Sequence, residues 1–454
     1  MNIKKIFGLL SLAFIPALTV GCKTLGGGYN ENSPLPPSAA AAEQTKKTAA
    51  RTGRNQTAKS AKEPAAFTAV TQKTVYGYEI DLSQYSEKSG IIDFSKISAS
   101  SCRAFNTAAN SIAVLIPQGR TVTITLDDGS GITASEEIKK ALAVTGGGRL
   151  ILKIKAGTEA VISNADTKEN ISGTAIFVDT DTSLEIINED TFYIDSERAV
   201  VCNKNYAGLK INTGNSGQIN VKTICGIYGD RNTDTRQTEI AGSGSINFDL
   251  KHSKNTMPAV FYFEDGNRLL FKGNSQISAL LTDNSLGIYS EGDVEFIGND
   301  TVKFAEKPWN KSHETFYIHG KCLVKGGRVE GTNMFLVSRT SLLDISGGSF
   351  KLSGGKECIV IYGETAFPAD YAGRIKVSGG TLYIESSDSG IGFDEGSNSA
   401  FKYAGSDAVQ FSGGTAAIKT TSADKKAIAR NNAGKKIYTI SSSANVILNP
   451  ADEQ

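Results

Sequence analysis

Four tyrosines recur in one local phrase: "GIYGD" around Tyr228, "VFYFE" around Tyr262, "GIYSE" around Tyr289 and "TFYIH" around Tyr317. Two residues after each stands a group that can bind or move a proton, namely Asp230, Glu264, Glu291 and His319. In an extended strand residues i and i+2 share a face, so each ring lies beside its polar partner while Ile227, Phe261, Ile288 and Phe316 point the other way. If the phrases stack in register about 4.8 Å apart, they form a row of phenols beside a row of carboxylates ending in an imidazole. Aromatic faces take the apolar faces of sugar rings, and carboxylates accept hydrogen bonds from hydroxyls. The expected ligand of such a surface is an extended glycan, provided the rings are partly exposed.

The same residues admit two other readings. Stacked aromatics stabilise a sheet, and acids on its outside keep it soluble, which is a structural role only. Carboxylates on neighbouring strands raise one another's pKa and can form an acid and base pair, the chemistry of a polysaccharide lyase or glycoside hydrolase. No complete catalytic set is visible, so no catalytic residue and no cofactor is assigned. Other candidates are weaker. "DTDTS" from Asp179 lacks the central Gly and terminal Glu of an EF-hand loop. His252, His313 and His319 are the only histidines and have no partners at metal-ligand spacing, so no metal site is expected. Trp309, in "EKPWNKS" between Lys307 and Lys311, reads equally as a contact residue or as one folded back on the chain.

The elements that must hold these residues are repeated. "ISGGSF" from Ile345 returns as "VSGGTL" from Val377 and "FSGGTA" from Phe411, with a looser "VKGGRV" from Val324. Around them lie two recurring apolar pieces, each alternating apolar and polar residues. The first reads "LEIINEDTFYI" from Leu184, "LKINTGNSGQINV" from Leu209, "LLFKGNSQIS" from Leu269 and "VEFIGNDTVKF" from Val294. The second includes "TAIFVD" from Thr174, "AVVCN" from Ala199, the four tyrosine phrases, "FLVSR" from Phe335 and "IVIYG" from Ile359. Period-2 patterning at a drifting interval of 20 to 34 residues predicts an all-β solenoid of 10–11 coils, a parallel β-helix over 149–450. The Gly-Gly pairs fall where each coil must bend. Propeller repeats, with four strands each, need longer units.

Cysteine usage fits neither a disulfide framework nor a zinc site: beyond Cys22 there are Cys102, Cys202, Cys225, Cys322 and Cys358, without C-x-x-C spacing. Cys202 follows the inward Val200 by two positions and Cys225 precedes the inward Ile227 by two, four positions out of register. That offset is about 13 Å along a strand, too far to bridge, so both are expected as free thiols.

The chain begins with Lys4 and Lys5, an apolar run from Ile6 to Val20 and then "LTVGC", the layout of an export signal over 1–21 that is too short to span a bilayer. Residues 22–73 are rich in Gly, Pro, Ala, Lys and Arg and poor in large apolar side chains, which predicts a disordered tether. With 48 Lys and Arg against 47 Asp and Glu and no basic stripe, nucleic acid is not an expected partner. In 74–148, "TASEEIKKALAVTGGGRLIL" offers Ser135 as an N-cap and Ile138, Ala141 and Leu142 on one face, predicting a short capping helix over about 135–144 that closes the first coil.

Three resemblances sharpen these expectations. Thr19-Val20-Gly21-Cys22 resembles the lipobox of bacterial lipoproteins, with Thr19 where that family usually has Leu and Leu18 one place earlier. It implies a diacylglyceryl group on Cys22, export, and anchoring to a bacterial membrane, at the outer membrane or cell surface, with membrane lipid as a partner. The stretch entering the first coil resembles pectate-lyase-like right-handed β-helices, in which a short helix caps the coil. Lyases of that kind combine a calcium-binding acid cluster with a catalytic Arg or Lys, and Arg339 is the nearest basic residue in register here. Finally, "VSGGTLYIESSDSGIGFDE" is similar to the Gly-Gly-Thr repeats of bacterial carbohydrate-binding-domain lipoproteins. Together they imply a lipid-anchored envelope protein that binds polysaccharide or host glycans or acts as an adhesin. The alternatives are a lyase or hydrolase and a structural envelope component.

Overall fold

The computed structural model of the 454-residue chain describes residues 73–74, 77–87, 89–134, 140–164, 173–253, 257–282, 284–306, 314–337, 340–354, 357–362, 374–394, 408–430 and 436–450. The expected signal segment, Cys22, Trp309, His313 and Arg339 lie outside the described residues, as does the tether apart from Lys73.

Alternation of apolar and polar residues produces strands with one buried face. Arg149–Ile154 and Thr191–Ser196 bury every second side chain, and the same holds along most strands. The strands assemble into three parallel sheets of 15, 13 and 12 strands, and the chain visits them in rotation, one strand per sheet per turn. The result is a parallel β-helix of about 11 turns. Its lumen is one continuous apolar core built from in-register ladders, such as Leu150, Leu184 and Leu209 in the first sheet.

Each turn therefore has three strands where the repeated phrases suggest two. "LEIINEDTFYI" runs across parts of both Ser183–Asn188 and Thr191–Ser196, because its alternation continues through a corner of only two residues. Turns also begin earlier than Arg149: Gly77–Asp81, Gly90–Asp93 and Ser101–Phe105 belong to the same sheets. The capping helix expected over 135–144 is not formed at its C-terminal half. Lys140–Thr145 is instead a strand paired on one side with Ile112–Leu115 and on the other with Thr174–Val178, while residues 135–139 lie outside the described residues. Burial of Leu142 and Val144 in the lumen, with pairing on both edges, overrides a weak local helix preference.

The N-terminal end is closed by a different device. Leu82–Tyr85 forms a 3-10 turn whose first turn is capped by Asp81, which accepts from the Ser83 amide at 3.0 Å. Leu82 and Tyr85 are buried, with Leu82 lining the lumen beside Ile80 and Ile92. Beyond them, Lys73–Thr74 pairs antiparallel with Gly77–Asp81 and occupies the edge of the first sheet.

The Gly-Gly phrase marks the corner between first and second sheets. Gly348 has φ +62°, a left-handed conformation that costs a side chain dear, and Gly380 and Gly414 repeat it at +61° and +68°. At the preceding Gly347 the constraint is space: a Cβ there would sit 2.2 Å from the Lys325 carbonyl oxygen of the coil below. The corner is short in every turn, one to five residues, whereas third-to-first corners run from two to fourteen. That difference explains why the phrase is constant while its interval drifts.

Candidate functional site

The register of the tyrosine phrases is as the sequence predicts. Tyr228 pairs with Tyr262, Tyr262 with Tyr289 and Tyr289 with Tyr317 in the third sheet, with Ile227, Phe261, Ile288 and Phe316 turned into the lumen. The expected exposure is not found. The four rings are 1–4 % exposed and belong to a second apolar cluster outside the lumen, with Phe177, Val201, Cys225, Ala259 and Leu286. Nor are their faces available to a sugar. The rings stack on one another along the solenoid axis, with centroids 5.5, 4.3 and 5.5 Å apart and planes within 13°. In-register stacking spends both faces of Tyr262 and Tyr289 on neighbouring tyrosines.

The polar partners serve this stack. The Tyr228 hydroxyl donates to Glu264, itself buried, and the Tyr289 hydroxyl donates to Glu291, both at 3.0 Å. Glu291 also accepts from Arg231 at 3.2 Å and from the Asp265 amide at 3.1 Å. Burial opposes ionisation of Glu291, but these hydrogen bonds and the Arg231 charge outweigh it and hold the carboxyl below its usual value. Burial pushes the Tyr289 phenol well up, reinforced by the adjacent Glu291. Asp230 is raised, chiefly by burial. His319 is half-buried, its ring 5.6 Å from Tyr289 and 5.5 Å from Tyr317. The expected site residues are thus brought together, but as a closed, hydrogen-bonded seam. Among the described residues, no group of three or more acids, histidines or cysteines is placed to hold a metal ion.

The surface that is open lies on the second sheet. There the outward middle positions of successive strands are Tyr193, Asn220, Asn247 and Ser278, paired in register. Tyr193 is 40 % exposed and stands at the head of a hydrogen-bonded ladder. Asn247 Nδ2 donates to Asn220 Oδ1 at 3.2 Å, Ser278 Oγ to Asn247 Oδ1 at 2.9 Å, and Gln218 Nε2 to Asn220 Oδ1 at 3.1 Å. The amide oxygens are thereby used while, among the described residues, nothing accepts from Asn220 Nδ2. On one side of this lane run Gln218, Ser245 and Gln276, and on the other Asp195, Lys222 and Asp249. A groove of about 510 Å³ follows the lane from Thr133 and Val161 past Tyr193 to Asn247 and Asp249. This arrangement presents one aromatic ring, a neutral strip of amide and hydroxyl groups, and a border of charges, over three coil spacings or about 14 Å.

Sequence reasoning passed over this face although its signal is plain in retrospect. "QIN" at Gln218, "SIN" at Ser245 and "QIS" at Gln276 are three consecutive coils with the same inward Ile and the same outward amide or hydroxyl.

Five thiols are free and buried, as expected for Cys202 and Cys225. Cys202 faces the lumen and Cys225 the outer apolar cluster, so the sheet itself separates them. Among the described residues no helix is long and apolar enough to cross a membrane. Compared with known proteins, the chain matches no family model, no curated protein and no solved structure.

Proposed function

We propose that the protein is an exported, lipid-anchored envelope component whose solenoid binds an extended polysaccharide along the outer face of the second sheet. The observation that supports this reading is the lane of Tyr193, Asn220 and Asn247 in its groove, continued by Ser278 beyond it, where ring and amides meet the two faces of sugar chemistry at once. Apolar sugar faces stack on Tyr193, and hydroxyls pair with amides already oriented by their neighbours, which lowers the entropy cost of binding. A neutral or weakly charged polymer suits the balance of charges along the lane. The anchor belongs to the same proposal, with Cys22 carrying the lipid and residues 22–73 giving the solenoid reach from the membrane.

A glycan array probed with the protein tests the reading. Tyr193→Ala should weaken binding by about 1 kcal/mol, roughly fivefold, with no change in melting temperature. Absence of any bound polysaccharide, or binding indifferent to both Tyr193→Ala and Asn220→Ala, overturns it. New reducing ends or unsaturated products from a bound polymer would make the protein an enzyme instead.

A further inference from the structure

The two ends of the solenoid differ in a way that bears on self-association. At the N-terminal end, Lys73–Thr74 already occupies the edge of the first sheet, and the second sheet ends in a strand of two residues, Thr107–Ala108, over which Ser86 Oγ donates to the Thr107 carbonyl. At the other end the last strands, Tyr438–Ile440 in the first sheet and Asn445–Asn449 in the second, have no strand beyond them among the described residues. Ile440 is 45 % and Ile447 58 % exposed. From Ile437 to Pro450 there is no charged side chain, although edge strands are ordinarily protected by charge.

We infer that this end pairs with the same end of a second copy of the chain, through antiparallel addition of Asn445–Asn449 to its own two-fold mate. Three features select this partner. An open edge carries a row of unpaired N–H and C=O groups that only another strand edge satisfies. At the N-terminal end of another copy the first-sheet edge is covered by Lys73–Thr74 and the second-sheet edge is two residues long, so among the described residues only Gly90–Asp93 of the third sheet, one residue shorter than Asn445–Asn449, is open there, which disfavours head-to-tail growth through these two sheets. The strand is also self-complementary: in "NVILN", a two-fold axis at Ile447 sets Asn445 opposite Asn449, Val446 opposite Leu448 and Ile447 opposite itself.

The hydrogen-bond phase agrees. The Asn445 N–H points back to the Gly414 carbonyl of the preceding turn, at 3.0 Å. By strand alternation Ile447 and Asn449 point the same way, which leaves the N–H and C=O groups of Val446 and Leu448 directed outward. Pairing about Ile447 then makes Val446 and Leu448 of each copy a doubly hydrogen-bonded pair and Ile447 a non-hydrogen-bonded, close pair. The interaction is isologous and closes as a dimer, so it does not propagate into a fibre.

The two-fold position makes a specific test possible on the full-length protein. Cα atoms of a non-hydrogen-bonded antiparallel pair lie about 4.5 Å apart, within disulfide range. Ile447→Cys should therefore form a cross-linked dimer on mild oxidation, well above the wild-type background, in which the five described thiols are buried. Ile440→Cys, also well exposed but off the axis, should not. Ile447→Lys should weaken the dimer measured by sedimentation by about tenfold or more, since it sets like charges face to face. Equal cross-linking at both positions, no cross-linking at 447, or a wild-type monomer at high concentration overturns the proposal.

Discussion

Tyr262 is held between two parallel rings, 5.5 Å from Tyr228 and 4.3 Å from Tyr289, and is 1 % exposed. Tyr262→Ala opens a gap in the middle of this stack, and the expected cost is about 3–5 kcal/mol in a denaturant titration, with glycan affinity per folded molecule unchanged. The same stack depends on pH through Glu291. Its folded-state pKa is held below the ordinary 4.5, so its stabilisation is present above that value and is lost as pH falls through the lower folded-state value. Asp230 acts in the opposite sense, since its raised pKa stabilises the acid form. Glu291→Gln should lower the melting temperature at pH 7, and the deficit against wild type should shrink as pH falls below about 4.5. An equal deficit at pH 7 and pH 3 would show that the charge of Glu291 contributes nothing. At these positions, phase and register are readable from sequence because strand parity is strict. Burial is not, because alternation tells which residues turn away from the lumen and carries no information on whether that outer face meets solvent.

The corner glycines separate two kinds of constraint. A Cβ on Gly347 meets the backbone of the coil below, at 2.2 Å, so Gly347→Ala must push two turns apart at a site where neither can yield. Gly119 has φ +76° with nothing within 4 Å, so Gly119→Ala pays only for conformation, about 1 kcal/mol. Thermal unfolding of the two variants should show the larger drop at Gly347, on the order of 3 kcal/mol. Equal drops would mean the stack relaxes locally. The need for Gly was legible here because the phrase recurs, but the strand count was not: a corner of two residues, as at 189–190, leaves the apolar alternation of "LEIINEDTFYI" unbroken. The helix expected near residue 140 failed for a related reason. "KALAVT" suits a helix face and a strand face equally, and the neighbouring Ile112–Leu115 and Thr174–Val178, distant in sequence, decide between them.

Taken end to end, the first two sheets have, among the described residues, one closed terminus and one open one, and the proposed lipid sits on the closed side, joined through residues 22–73. Cys22→Ala should move the protein from the membrane fraction to the soluble one, and unchanged detergent partitioning would remove lipidation from the proposal. Each turn advances the structure by one strand spacing, whether it spends 21 residues, as from Lys321 to Leu342, or 34, as from Arg149 to Ser183. The number of turns alone therefore sets how far the open terminus stands from the closed one, roughly 50 Å for about 11 turns. Residues added at the long corners into and out of the third sheet widen the rod and leave its length untouched. Reach and girth are thus encoded independently, the first by how many times the short glycine corner is repeated and the second by what is inserted between repeats.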